Sequence, residues 1–69
     1  MRLPRFMLRA KDADIEREAR LLLEVLGIED VEVVRDDTVA EAWLDDLEAR
    51  RTIYGLDEIR RYLEQLVTG

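Results

Sequence analysis

The side chains able to do chemistry in this 69-residue chain are few and of a narrow kind. Histidine, cysteine, serine and asparagine are all absent. Imidazole acid–base catalysis, thiolate attack, Cys/His zinc binding, disulfides, a serine nucleophile and an N-glycan acceptor are therefore excluded. Carboxylates and guanidiniums remain: seventeen acids against eleven bases, a net charge of −6, with Lys11 the only lysine. Asp36 and Asp37 are adjacent carboxylates where a strand should end, and with Asp12 or Asp14 they could hold Mg²⁺ through oxygens and waters. Asp-Asp-Thr is also ordinary turn and capping chemistry, and that simpler expectation is preferred.

The bases are unevenly spread. Arg2, Arg5, Arg9 and Lys11 give the first eleven residues a charge of +4 with no acid, while the rest of the chain carries −10. Such a segment could meet a phosphate, an RNA backbone or an acidic partner. The acidic body argues against general nucleic-acid binding, which needs a basic face to displace counterions. The plainer expectation is a first strand whose arginines lie against the protein's own acidic surface. Tyr54-Gly55, just ahead of a helix, could present N–H groups to an anion, although Asp57 and Glu58 would repel it. Arg50 and Arg51 could ease a helix C-terminus or bind an anion, and Arg60 and Arg61 belong to a solvated helix face.

The elements that would position these residues follow from periodicity. Arg5 to Arg9 is a short apolar run between charges, and predicts a buried strand. Asp12 or Asp14 can cap a helix whose inner face is Ile15, Ala19, Leu22, Leu23 and Leu26, stopped by Gly27. Val31 to Arg35 is β-branched and predicts a second strand. Thr38 stands three residues before Glu41, the spacing of a reciprocal capping box, and predicts a second helix with Val39, Trp43 and Leu47 inside. On that helix Trp43 belongs to the core, and Asp45 and Asp46, pointing about 100° apart, form a solvated face unable to chelate one ion as a pair. Arg51 to Tyr54 predicts a short third strand closed by Gly55. A last helix from Leu56 to Val67 would bury Leu56, Ile59, Leu63 and Leu66, with Tyr62 a further candidate.

Two of these stretches resemble the thioredoxin/glutaredoxin-like superfamily. Glu16 to Val34 (Glu-Arg-Glu-Ala-Arg-Leu-Leu-Leu-Glu-Val-Leu-Gly-Ile, then Val-Glu-Val-Val) is similar to its first helix and second strand. Arg51 to Leu66 is similar to its final strand, the glycine after it and the closing helix. The resemblance covers about half the chain, and helix–glycine–strand patterns recur in many α/β domains. It would place the family's redox cysteines within Lys11 to Ile15, where none is a cysteine, and its cis-proline before the third strand, where none exists because Pro4 is the only proline. The interval from Trp43 to Arg51 is also short for a helix end and a strand together. A relative of this kind is shortened and redox-silent, since thiol–disulfide exchange needs a thiolate.

The expected fold is thus a single small α/β domain over 1–69, in the order β-α-β-α-β-α, with helices packed on a three-stranded sheet and the ends, 1–5 and 68–69, flexible. The first two strands should be parallel with a right-handed crossover, while the third could extend the parallel sheet or run antiparallel on the other edge. The expected function is a non-catalytic, cofactor-free domain acting through contacts with a protein partner or with itself. The basic segment Arg2, Arg5, Arg9 and Lys11 is its candidate partner-binding site. A Mg²⁺-dependent enzyme or sensor at Asp36 and Asp37, and a phosphate- or RNA-contacting accessory protein, are the alternatives. No apolar run is longer than that from Leu21 to Leu23, and the first eleven residues lack a signal-peptide core, so a cytoplasmic protein without membrane contact is expected. A core this thin, with no disulfide to staple it, leaves monomer and homodimer equally open.

Overall fold

Alternation decides the first strand. In β1 (Phe6–Ala10), Phe6, Leu8 and Ala10 are buried while Met7 and Arg9 turn to the opposite side, as the two-residue repeat of a strand requires. The computed structural model, which describes residues 3–69, continues with α1 (Ala13–Leu26), β2 (Val31–Arg35), β3 (Ala42–Asp46), β4 (Arg51–Tyr54) and α2 (Leu56–Thr68). Asp12 is the N-cap of α1, its Oδ1 accepting the Ile15 N–H at 2.9 Å, and Gly27 closes the helix in the left-handed region at φ 72°. At that position an L side chain would add strain, which is why helices so often end on glycine. Ala19 and Leu23 are buried, with Ile15, Leu22 and Leu26 packed at their margin.

The strands join in one sheet of order β2-β1-β3-β4. β1 and β2 are parallel, linked by α1, whereas β3 is antiparallel to β1 and β4 antiparallel to β3. The strand expected at Arg51 to Tyr54 therefore lies on the far edge. It is hydrogen-bonded antiparallel to its neighbour, yet runs in the same direction as β1.

The predicted second helix does not exist, and the order is β-α-β-β-β-α with four strands rather than three. Where the capping box was expected, Thr38 donates its N–H and hydroxyl to Asp36 in a local turn. Residues 42–46 then pair with all five residues of β1. The period-four spacing of Val39, Trp43 and Leu47 competes with the period-two alternation of Ala42, Leu44 and Asp46. Strand pairing wins because β1 would otherwise offer an unpaired edge in the middle of the domain. Trp43 is consequently not core but 36% exposed, and Leu47 is 50% exposed. Leu66, also expected inside, is exposed, and Thr68 is held in α2 by a bond from its hydroxyl to the Glu64 carbonyl.

Both helices lie on one side of the sheet. α1 packs on β1 and β2, α2 packs on β3 and β4, and the helices touch each other. Phe6, Leu8, Leu23, Leu44, Ile59 and Leu63 are the bulk of the core between them. The shortest dimension of the molecule, 19 Å, accommodates one helix layer and one sheet layer. On the other side no helix or strand packs against the sheet among the described residues. Among those residues, no helix is long and apolar enough to cross a membrane.

Candidate functional site

Asp46 is the one charged residue buried among those described, at 1% exposure. The alternation that hides Ala42 and Leu44 also turns Asp46 toward the helices. Its Oδ1 accepts the Arg5 Nε–H at 3.1 Å and the N–H groups of Glu48 and Ala49 at 3.2 and 3.1 Å. Its Oδ2 accepts Arg5 Nη2 at 3.1 Å and the Tyr62 hydroxyl. One carboxylate thereby ties the residue ahead of β1, the β3–β4 turn and helix α2 together. Burial alone would raise its pKa, but the bonds from Arg5, Tyr62 and the Ala49 N–H outweigh burial and bring it to about 2. Burial, and then the bond to Asp46, pushes the Tyr62 phenol above its ordinary value, and the bond to Asp46 likewise raises Arg5. Near neutral pH the group is a fixed anion with its acceptor capacity spent, suited to clamping rather than to moving protons. The Arg51 guanidinium covers the Tyr62 ring at 5.3 Å from the centroid, beside an open groove of about 450 Å³ between β4 and α2.

Of the four bases expected to act together, the three within the described residues lie apart. Arg2 lies outside the described residues. Arg5 is committed to Asp46, and Arg9 reaches Asp36 at 3.6 Å from the opposite side of the sheet. Lys11 is exposed past the end of β1, its side chain in solvent.

Asp36 and Asp37 end β2 as expected, but their neighbours are occupied. Asp36 is bound by Thr38 and Arg9, Asp12 caps α1, and Asp14 pairs with Arg17 at 3.6 Å. The bond from the Thr38 hydroxyl, then that from its backbone N–H, lowers the Asp36 pKa. Among the described residues no three carboxylates gather where they could hold a metal ion. The α2 N-terminus behind Tyr54-Gly55 is already served by an anion of the chain itself: Glu41 Oε1 accepts the Leu56 N–H at 2.8 Å. Sequence reasoning missed both Asp46 and Glu41. The signal for Asp46 was the alternation Ala42, Leu44, Asp46, and for Glu41 there was none, since its partner lies fifteen residues away.

The bare side of the sheet has its own pattern. Register aligns Val34 of β2, Arg9 of β1, Trp43 of β3 and Tyr54 of β4 in one row across all four strands. A second row holds Glu32, Met7, Asp45 and Thr52. None of the eight is buried. Trp43 and Tyr54 meet edge to face, centroids 5.2 Å apart at 86°, and the Thr52 hydroxyl donates to Asp45 at 2.7 Å. Arg9 lies along this face with Nη2 against the Met7 sulfur at 3.9 Å, and its Nε has no hydrogen-bond partner.

Comparison with protein-family models, with curated proteins and with solved structures finds no match to this chain. Its function is therefore argued from its own surfaces.

Proposed function

We propose that this chain is a non-catalytic, redox-silent domain of thioredoxin-like kind that works through protein contacts, and that the bare face of its sheet is where it docks. One observation carries the reading: a four-stranded sheet has helices on one side only, and the open side bears Met7, Arg9, Val34, Trp43 and Tyr54. Tryptophan, tyrosine, methionine and arginine are the residue types enriched where protein interfaces are fully desolvated. An exposed row of them on a rigid sheet fits an interface better than it fits solvent. Support for the kinship comes from the two stretches that carry the resemblance. Glu16–Val34 forms most of α1 with β2, and Arg51–Leu66 forms β4 with α2, one on each side of the β1–β3 pair. The second helix expected with Val39, Trp43 and Leu47 inside is replaced by β3, so the short interval from Trp43 to Arg51 does not have to hold a helix end.

A photo-crosslinking residue tests the docking face. Placed at Glu32, on the bare face, it is expected to give discrete adducts in cells; placed at Glu24, on the outside of α1, it should give few. Adducts from Glu24 alone, or none from either position, would overturn the reading.

A further inference from the structure

The row on the bare face is complementary to itself, and from that pattern we infer that the first occupant of the face is a second copy of this chain. Let two such sheets meet face to face about a two-fold axis parallel to the strands and running between β1 and β3. The axis carries β1 onto β3 and β2 onto β4 of the other copy, as the order β2-β1-β3-β4 dictates. Arg9 then lies over Trp43 of the second copy, Trp43 over its Arg9, and Val34 and Tyr54 meet in the same reciprocal way.

The charges agree with this orientation. In the second row Glu32 faces Thr52 of the other copy and Asp45 faces its Met7, so no carboxylate opposes a carboxylate. A two-fold axis across the strands would instead set both carboxylates on apolar side chains, Glu32 against Val34 and Asp45 against Trp43, where the first arrangement sets only Asp45 so, and it would place Arg9 over Met7 and lose its contact with Trp43. The arginine also has reason to take an aromatic partner. Its charge is met by Asp36 at 3.6 Å and its Nη2 rests on the Met7 sulfur at 3.9 Å, while its Nε, buried within the monomer, has no hydrogen-bond partner. A guanidinium over an indole face is the favoured cation–π arrangement and gains as water is excluded. The row itself offers both a cation for Trp43 and an aromatic face for Arg9.

The size of the contact sets the strength. Four strands of about five residues present roughly 300 Å² of flat footprint, or on the order of 1,000 Å² of accessible surface in both copies together. That is the low end of specific interfaces, so dissociation in the micromolar range is expected. The result would be a four-layer helix–sheet–sheet–helix assembly with the strands of the two sheets roughly aligned.

The inference rests on the docking reading above and is tested on the purified chain. Sedimentation from about 1 µM to 1 mM should show a monomer converting to a dimer, with Trp43 emission shifting to the blue as the dimer forms. Trp43→Arg puts cation against cation and should weaken association by at least about a hundred-fold, because each interface contains the contact twice. The double exchange, Arg9→Trp with Trp43→Arg, should restore the association that Trp43→Arg alone removes. Val25→Glu, on the exposed side of α1, should leave the dimer unchanged. Thermal melts confirm that each variant is folded, and a variant that is not is replaced by Tyr54→Glu, which should also weaken association. A dimer broken by Val25→Glu but not by Trp43→Arg, or Trp43→Arg with no effect, overturns the inference. So does a chain monomeric at 1 mM; if adducts from Glu32 to other proteins persist beside it, the docking reading stands without self-pairing.

Discussion

On the helix side of the sheet, Phe6, Leu8, Ala42 and Leu44 are at most 5% exposed. One residue along the same strands, on the bare side, Met7, Arg9 and Trp43 all keep contact with solvent. The backbone is the same, so the difference lies in what covers each side. A side chain under a helix layer is worth its full transfer energy plus the packing around it. On the open side it contributes little to folding and is available for binding. Leu44 and Trp43 are neighbours in one strand and should therefore behave in opposite ways.

The largest effect is expected from Leu44→Ala, which empties a fully buried site and should cost about 3 kcal/mol. A chain of this size has only about 3–10 kcal/mol in total, so the variant should be marginally folded. Trp43→Thr should change the monomer's stability by less than about 1 kcal/mol while removing self-association. Urea unfolding of dilute protein measures both. If the two substitutions cost the same, the division between a folding face and a binding face is wrong.

Asp46 is the exception on the covered side, and its removal should come next in size. Asp46→Ala leaves the Tyr62 hydroxyl, two turn N–H groups and Arg5 without their acceptor, at a cost of about 2 kcal/mol by urea midpoint, Arg5 being partly rescued by water. The same group sets the acid limit. Its carboxyl is held at about 2 in the fold against 3.8 ordinarily. Between those values the unfolded chain takes up a proton that the native one refuses, and stability falls as the pH drops. Glu16 is also lowered, by its bonds to Arg20 and then Arg35, and Asp36 by Thr38, so both act in the same sense. Full stability is expected above about pH 5, with progressive loss toward pH 2. Melting temperatures followed from pH 7 to 2 should show that loss in the native chain and a shallower one in Asp46→Asn. An unchanged slope would deny Asp46 the role.

Local grammar made most of this fold legible. The short apolar run between charges located β1, the stripe and Gly27 located α1, the β-branched run located β2, and Arg51–Tyr54 with Gly55 located β4 and the start of α2. What failed was residues 38–47, where Thr38 and Glu41 have capping spacing and Val39, Trp43 and Leu47 have helical spacing. The opposing evidence for a strand included an inward aspartate, and an inward charge looks like a solvent face until its partners are known. Those partners, Arg5 and Tyr62, lie 41 and 16 residues away. For the bases, the plainer expectation of arginines against the protein's own acidic surface agrees with Arg5 on Asp46 and Arg9 on Asp36, but a count of arginines does not reveal that the carboxylate held by Arg5 is buried. The bare face could not be foreseen either, because the side of the sheet that each helix takes is set by tertiary packing and not by the local pattern of either helix.

The smallest expected effects lie at the two turns that flank β4. Glu41→Ala removes the carboxylate that caps the Leu56 N–H and should cost about 1 kcal/mol, felt on the covered side through α2. Arg50 stands in the left-handed region at φ 57°, a conformation a non-glycine residue occupies at some cost. Its side chain is exposed and forms no ion pair among the described residues. Arg50→Gly relieves the strain and loosens the unfolded chain, two effects of opposite sign, so the net gain should be at most about 1 kcal/mol. Because the turn belongs to neither face, self-association should not change. A stabilised variant that also dimerises differently would mean that the β3–β4 turn reaches into the interface, and that the bare face extends further than its two rows.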